Sequence, residues 1–270
     1  MAGLLLPAAL VIALFAAVMT SMVRFSFSPG GSGGVLEPGF SLEHYERFLG
    51  SSFNLSYLTY SLWLSFYCTA ITAVIGYLIA YFMYRSGPVV RQIVGTILIV
   101  QFFTAYVIRA YAVMLVLGKA GLLNQSLMAL GVTREPIRIL FTEPAVAIGL
   151  VLVSVPFMVF PILASLRAIP PNLEMAASAL GAGGFRSFWT VVFPLSLPGV
   201  AAGIVVVFLF ELTSYIVPGL LGGGYVDMIA NLIYNKAMRS FEYSFAAAAA
   251  VVTLVVSGAL VFVLNSVLGR

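Results

Sequence analysis

Six stretches of this chain are each long and apolar enough to cross a lipid bilayer, and little is left between them to dress a soluble surface. A spanning helix takes about 20 mostly apolar residues, because the hydrocarbon layer is about 30 Å thick and an α-helix rises about 1.5 Å per residue. The stretches are 4–23, 58–84, 93–117, 144–166, 199–218 and 245–268. Charge decides between spans and the buried helices of a large soluble protein. Only 8% of the 270 residues are charged and 62% are hydrophobic, against about 25% charged and 45–50% apolar in soluble domains. The expected fold is therefore an all-α polytopic membrane protein with about six transmembrane helices, one transmembrane domain over residues 1–270. Intrinsic disorder and a secreted disulfide scaffold are excluded.

The first stretch is expected to be a retained span. No Lys or Arg precedes it, and it is longer than the apolar core of a signal peptide. The fourth contains Pro156 and Pro161, so a kink is expected. Ser41 is placed to cap a short amphipathic helix in the connection 24–57. One cysteine, Cys68, and one histidine, His44, leave no disulfide, no Cys cage and no two-His metal site within the chain. No catalytic residue is assigned. The run Gly222-Gly223-Gly224 is not a phosphate loop, since no Lys-Ser/Thr follows it and no Walker sequence occurs. The net charge of +4 is scattered without a basic stripe, which argues against nucleic acid.

Lys/Arg bias does not fix the orientation. The side holding 85–92, 167–198 and the C-terminus carries five bases: Arg85, Arg91, Arg167, Arg186 and Arg270. The other side carries seven, balanced by seven acids. The rule counts bases, so the raw count points the opposite way from the orientation adopted below.

Residues 167–198 supply a better argument. Two prolines end the fourth stretch, Asn172 is a plausible N-cap, and Glu174 stands where the helix dipole favours an acid. A helix of small residues follows to Leu180, Gly181 to Gly184 breaks it, and Phe185 to Phe193 can form a second helix. By residue types alone this is an interfacial helical hairpin. Its spacing resembles the EAA loop of bacterial ATP-binding-cassette (ABC) importer permeases: Glu-Ala-Ala, three residues, Gly, nine residues, then Ile-x-Leu-Pro. Ala176-Ala177 are followed by three residues and Gly181, and nine more lead to Val191-Val192-Phe193-Pro194. Met175 stands at the family's Glu position, and the acid is one place earlier, at Glu174. Further segments, among them Ile108-Arg109-Ala110-Tyr111, Gly121-Leu122-Leu123-Asn124 and Pro218-Gly219-Leu220-Leu221-Gly222-Gly223, are similar to the spermidine/putrescine-type permeases.

The resemblance implies a permease subunit in the bacterial inner membrane, with both termini and the 167–198 loop cytoplasmic. It implies that Glu174, Met175, Ala176, Ala177, Leu180 and Gly181 couple the chain to ATPase subunits. Small residues at 176, 177 and 181 would let two backbones approach closely. The implied partners are two ATPases, a second permease (a paralogue rather than an identical copy) and a periplasmic or extracellular substrate-binding protein. ATP and Mg would be used by the ATPases, with no cofactor on this chain. The implied solute is a polyamine or a related small cation.

Ionisable groups within spans are functional suspects. Arg109, about 16 residues into the third stretch, is either an interfacial or paired arginine or part of a path. Glu211, about 12 residues into the fifth, either lines a path or serves a structural partner such as Arg109. Tyr106, Tyr111 and Tyr215 are either cation–π faces or interface anchors. An integral-membrane enzyme and a passive channel or scaffold are the alternatives. The enzyme would have one His, one Cys and one intramembrane carboxylate to work with.

Overall fold

The structure is a computed structural model that describes residues 2–29 and 39–268. Glu37 and Arg270, which enter the charge counts above, lie outside the described residues. Among the described residues thirteen α-helices follow one another: α1 (Ala2–Ser26), α2 (Glu43–Leu49), α3 (Ser52–Arg85), α4 (Pro88–Phe103), α5 (Tyr106–Leu117), α6 (Leu122–Ala129), α7 (Glu143–Arg167), α8 (Pro171–Ala179), α9 (Gly184–Ser187), α10 (Phe193–Leu212), α11 (Ile216–Leu221), α12 (Ile229–Met238) and α13 (Tyr243–Leu268). A π-helical turn over Phe188–Val192 joins α9 to α10. Among the described residues all regular structure is helical, and six segments are long and apolar enough to span: Pro7–Ser26, Ser52–Arg85, Tyr106–Ala129, Glu143–Arg167, Gly184–Leu212 and Tyr243–Leu264.

The contacts divide the chain into two compact units. One comprises residues 1–60 and 229–258, and the other residues 61–228 and 259–270.

In the first unit, the stretch of α1 from Pro7 to Val18 is exposed throughout. In a bilayer lipid tails satisfy such a surface. Its end is held: Ser26 Oγ and Tyr45 OH share a hydrogen bond of 2.6 Å, and the Phe27 ring stacks on Phe40 at 5.0 Å. The Ser41 hydroxyl accepts the Glu43 amide at 3.1 Å, but Leu42, not Ser41, is the N-cap of α2. Phe48 of α2 is buried beside Phe245 of α13.

The second unit is built around α7. Inside a membrane, apolar burial gives helices no reason to prefer each other over lipid, so association falls to close packing and internal polar bonds. Glycines provide the packing. A Cβ at Gly76 of α3 would lie 2.5 Å from Met158 Cγ, and one at Gly203 of α10 would lie 2.6 Å from its Sδ. Met158 is thus seated between two helices that have no side chain there. On α7 itself, Gly149 makes room for Val217 and Leu221 of α11.

Two expected spans differ from what is observed. The third, 93–117, is broken: Thr104 and Ala105 take extended backbone, with ψ of 132° and 135°. The break serves α7. Pro156 has no N–H for the Leu152 carbonyl, and Gln101 Nε2 donates to that oxygen instead at 2.5 Å. Arg109 Nη1 donates to the adjacent Val153 carbonyl at 3.1 Å. In an unbroken helix residues 101 and 109 would stand about 12 Å apart along the axis, and two neighbouring carbonyls could not readily draw on both.

The fifth span, expected over 199–218, starts earlier and stops at Leu212. There Thr213 Oγ1 turns back on the Leu209 carbonyl at 2.8 Å. The chain restarts at Ile216 with Pro218 in the first turn, where its missing N–H costs nothing. At the start, α9, the π turn and α10 run on without a break, so the second helix of the 167–198 segment is the beginning of the fifth span.

Candidate functional site

The segment between the fourth and fifth spans begins at Ile169-Pro170, and Pro170, not Asn172, is the N-cap of α8. Pro171 already has helical backbone, which leaves Asn172 within the first turn. The helix ends in a Schellman motif. The Ala182 amide donates to the Ala177 carbonyl and the Gly181 amide to the Ser178 carbonyl, each at 3.0 Å. That arrangement puts Gly181 at φ +82°, a conformation open to glycine and strained for most other residues. A Cβ there would meet nothing within 4 Å. The glycine is therefore required by backbone conformation and not by close approach of a second backbone.

No side chain of α8 is buried. Only Glu174 and Ala177, three apart on one face, are drawn partly inward. Glu174 is engaged at both carboxylate oxygens: Tyr84 OH donates to Oε1 at 2.7 Å, and Arg85 Nη2 lies 2.8 Å from Oε2. Both donors come from the end of α3. That end is itself fixed by Arg91 of α4, which donates to the carbonyls of Met83, Tyr84 and Ser86 and so satisfies groups that a helix C-terminus leaves open. The rest of the segment is open, and apolar side chains are among those exposed: Met175 is 65% exposed, Leu180 88% and Phe185 80%.

The intramembrane ionisable residues are separated. Glu211, 0% exposed, is the penultimate residue of α10. Thr69 Oγ1 of α3 donates to its Oε2 at 2.9 Å, and Thr72 Oγ1 lies 3.4 Å from Oε1 while donating to the Cys68 carbonyl at 2.8 Å. Arg109 is not its partner. It lies in the first turn of α5, bonded to the Val153 carbonyl, with its guanidinium carbon 5.7 Å from the Tyr106 ring centre. Tyr106 OH and Ser214 Oγ share a hydrogen bond, which ties α5 to the turn leading from Glu211 to Tyr215. Tyr111 and Tyr215 are exposed. Sequence reasoning passed over Thr69, Thr72, Tyr84, Arg85 and Gln101 as partners. Two threonines three apart in an apolar run, and a Tyr-Arg pair closing one, are the signals that mark them.

The chain's residues 72–270 match the family model described as the binding-protein-dependent transport system inner membrane component. The chain belongs to that family. It is 35% identical to the spermidine/putrescine transport system permease protein PotB of Escherichia coli strain K12 over 224 residues, 83% of this chain and 81% of that one. It is 36% identical to the protein of the same name from Haemophilus influenzae over 203 residues, 75% and 71% of the two chains. A solved bacterial alginate ABC transporter, in complex with an alginate pentasaccharide-bound periplasmic protein, has a chain of the same fold. Its TM-score is 0.77 at 20% identity, over 98% of this chain and 92% of that one. The protein is thus an inner-membrane, multi-pass permease subunit of an ABC importer that works with a binding protein.

Proposed function

We propose that this permease forms half of a translocation path for a polyamine or a related small cation, and that α8 is the helix through which ATPase subunits drive it. What carries the reading is α8 itself: a helix with no buried side chain and with exposed apolar residues on and just after it, carried between two spans. Exposed Met175, Leu180 and Phe185 suit docking into a cleft of a partner, and Ala176 and Ala177 keep the helix slim. ATP and Mg belong to two ATPase subunits. A second permease, a paralogue, completes the path, and both termini are cytoplasmic. The polyamine assignment is taken from the relatives' names.

Tyr106, Tyr111, Tyr215, Arg109 and Glu211 border the path in this reading. Glu211 is closed off in the state described, so it meets a cation only when α10 shifts against α3 during alternating access. A carboxylate that appears in one state and is withdrawn in the other gives the differential affinity a transport cycle needs. The test is uptake of labelled spermidine by vesicles holding the permease with its ATPases and binding protein. ATP-dependent uptake that Glu211→Gln lowers selectively, with assembly intact, is expected. Uptake of a non-cationic solute in preference to spermidine would overturn the substrate assignment, and unchanged spermidine uptake in the variant would leave Glu211 out of the path.

A further inference from the structure

Glu174 sits one place before the position at which the family pattern has its acid. One place on a helix is about 100° of rotation. At 175 the side chain points away from the chain, as exposed Met175 does, whereas at 174 it meets α3. The connections to α8 are poor levers for transmitting motion. On one side lie Ile169 and Pro170, on the other Gly181-Ala182-Gly183-Gly184, where a Cβ added at Gly183 or Gly184 would meet nothing within 4 Å. Beyond the Glu174 bonds, α8 packs against α9 and the π-helical turn with no side chain buried, a contact that resists rotation about its axis only weakly.

Two donors on two different carboxylate oxygens stop that rotation, and a single bond would not. The donors are prepared in advance. Arg85 Nε donates to Tyr81 OH at 3.1 Å, and its guanidinium lies 5.5 and 5.7 Å from the ring centres of Tyr81 and Tyr84.

We infer that Glu174 is a positioning residue, a latch that ties the coupling helix to the end of α3 so that displacement of α8 is delivered directly to α3. The inference rests on α8 being the coupling helix. It assigns the outward contact with the ATPase to apolar side chains and the charge to the chain's own second span. The departure from the family pattern at 174 and 175 is then a relocation of the carboxylate's task.

Two readouts test it. A spin label on Leu180→Cys, in the permease held in lipid nanodiscs, reports the mobility of α8 without any partner. The only native thiol, Cys68, is buried. In the complex with its ATPases and binding protein, solute transported per ATP hydrolysed reports coupling. Glu174→Gln is expected to raise label mobility and to lower transport per ATP by about three- to thirtyfold, the range over which residues along a coupling route act. Arg85→Lys keeps the ion pair and should retain most of both values. The exchange Glu174→Arg with Arg85→Glu should recover more than either single change. Unaltered mobility in Glu174→Gln would overturn the latch. Raised mobility with unaltered transport per ATP would overturn its role in transmission. Absence of any crosslink from Leu180→Cys to an ATPase subunit would instead reject the coupling-helix reading beneath it.

Discussion

Two glycines show how much a single residue decides in this chain. Gly181 is legible in the sequence through its spacing, but its reason is not: it supplies the left-handed backbone of a Schellman motif, and no second backbone approaches it. Gly181→Ala is expected to cost about 1 kcal/mol, and Gly181→Val more, because a β-branched residue suits that backbone least. Measured side by side, uptake should fall in Gly181→Val while ATP hydrolysis persists. Normal uptake would remove Gly181 from the coupling path. Gly223 is the second case, a residue that sequence reasoning excluded from phosphate binding without finding its purpose. It has φ +57°, and a Cβ there would collide with the Phe141 ring. Backbone strain alone is worth about 1–3 kcal/mol, so Gly223→Ala should lower the melting temperature of the purified protein. A neighbouring Gly224→Ala shares the strain, at φ +81°, but meets nothing within 4 Å, and the difference between the two variants isolates the Phe141 contact.

At the scale of elements, the apolar runs located four spans well and misplaced two. The misses have one cause. Hydropathy counts residues that lipid accepts, but where a helix stops is set by polar groups that have to be paired, across helices at Gln101 and Arg109 and within one at Thr213. Gln101 and Arg109, on either side of the break, bond to carbonyls of α7 near Pro156, which lies more than forty residues from both in sequence. Gln101→Leu leaves the Leu152 carbonyl without its donor in apolar surroundings, which costs about 1–3 kcal/mol. A double-mutant cycle with Arg109→Met should give a coupling energy of at least about 0.5 kcal/mol, read from thermal unfolding in detergent. Strict additivity would mean that the two donors do not act on α7 together.

Outside the spans, Glu242 joins α12 to α2 through Lys236 and Arg47, each at 2.7 Å. Burial pushes its carboxyl up, but the hydrogen bonds from Lys236 and Arg47 outweigh that and hold it below the ordinary value of 4.5. A depressed folded value means that this clamp stabilises the protein above the ordinary carboxylate range and is lost as pH falls through the lower, folded value. Glu242→Gln should therefore reduce the melting temperature at pH 7 and flatten the acid side of the stability profile. An unchanged profile would show the pairs to be screened to insignificance, as many exposed ones are.

At the scale of the molecule, membership of the binding-protein-dependent transport family makes this chain an importer permease, and the proposal gives α8 the task of coupling it to its ATPases. The class was legible early because charge content and spacing are collective features that survive many substitutions. The partners of the two carboxylates were not, because Glu211 is far in sequence from Thr69, and Glu174 from Tyr84 and Arg85. No local pattern encodes such pairs. The most direct test of the account asks which side of the membrane α8 faces and what it touches. Leu180→Cys should resist a membrane-impermeant maleimide in intact cells, react with it in inside-out vesicles, and crosslink to an ATPase subunit in the assembled complex. Labelling from the outside of intact cells would contradict the account.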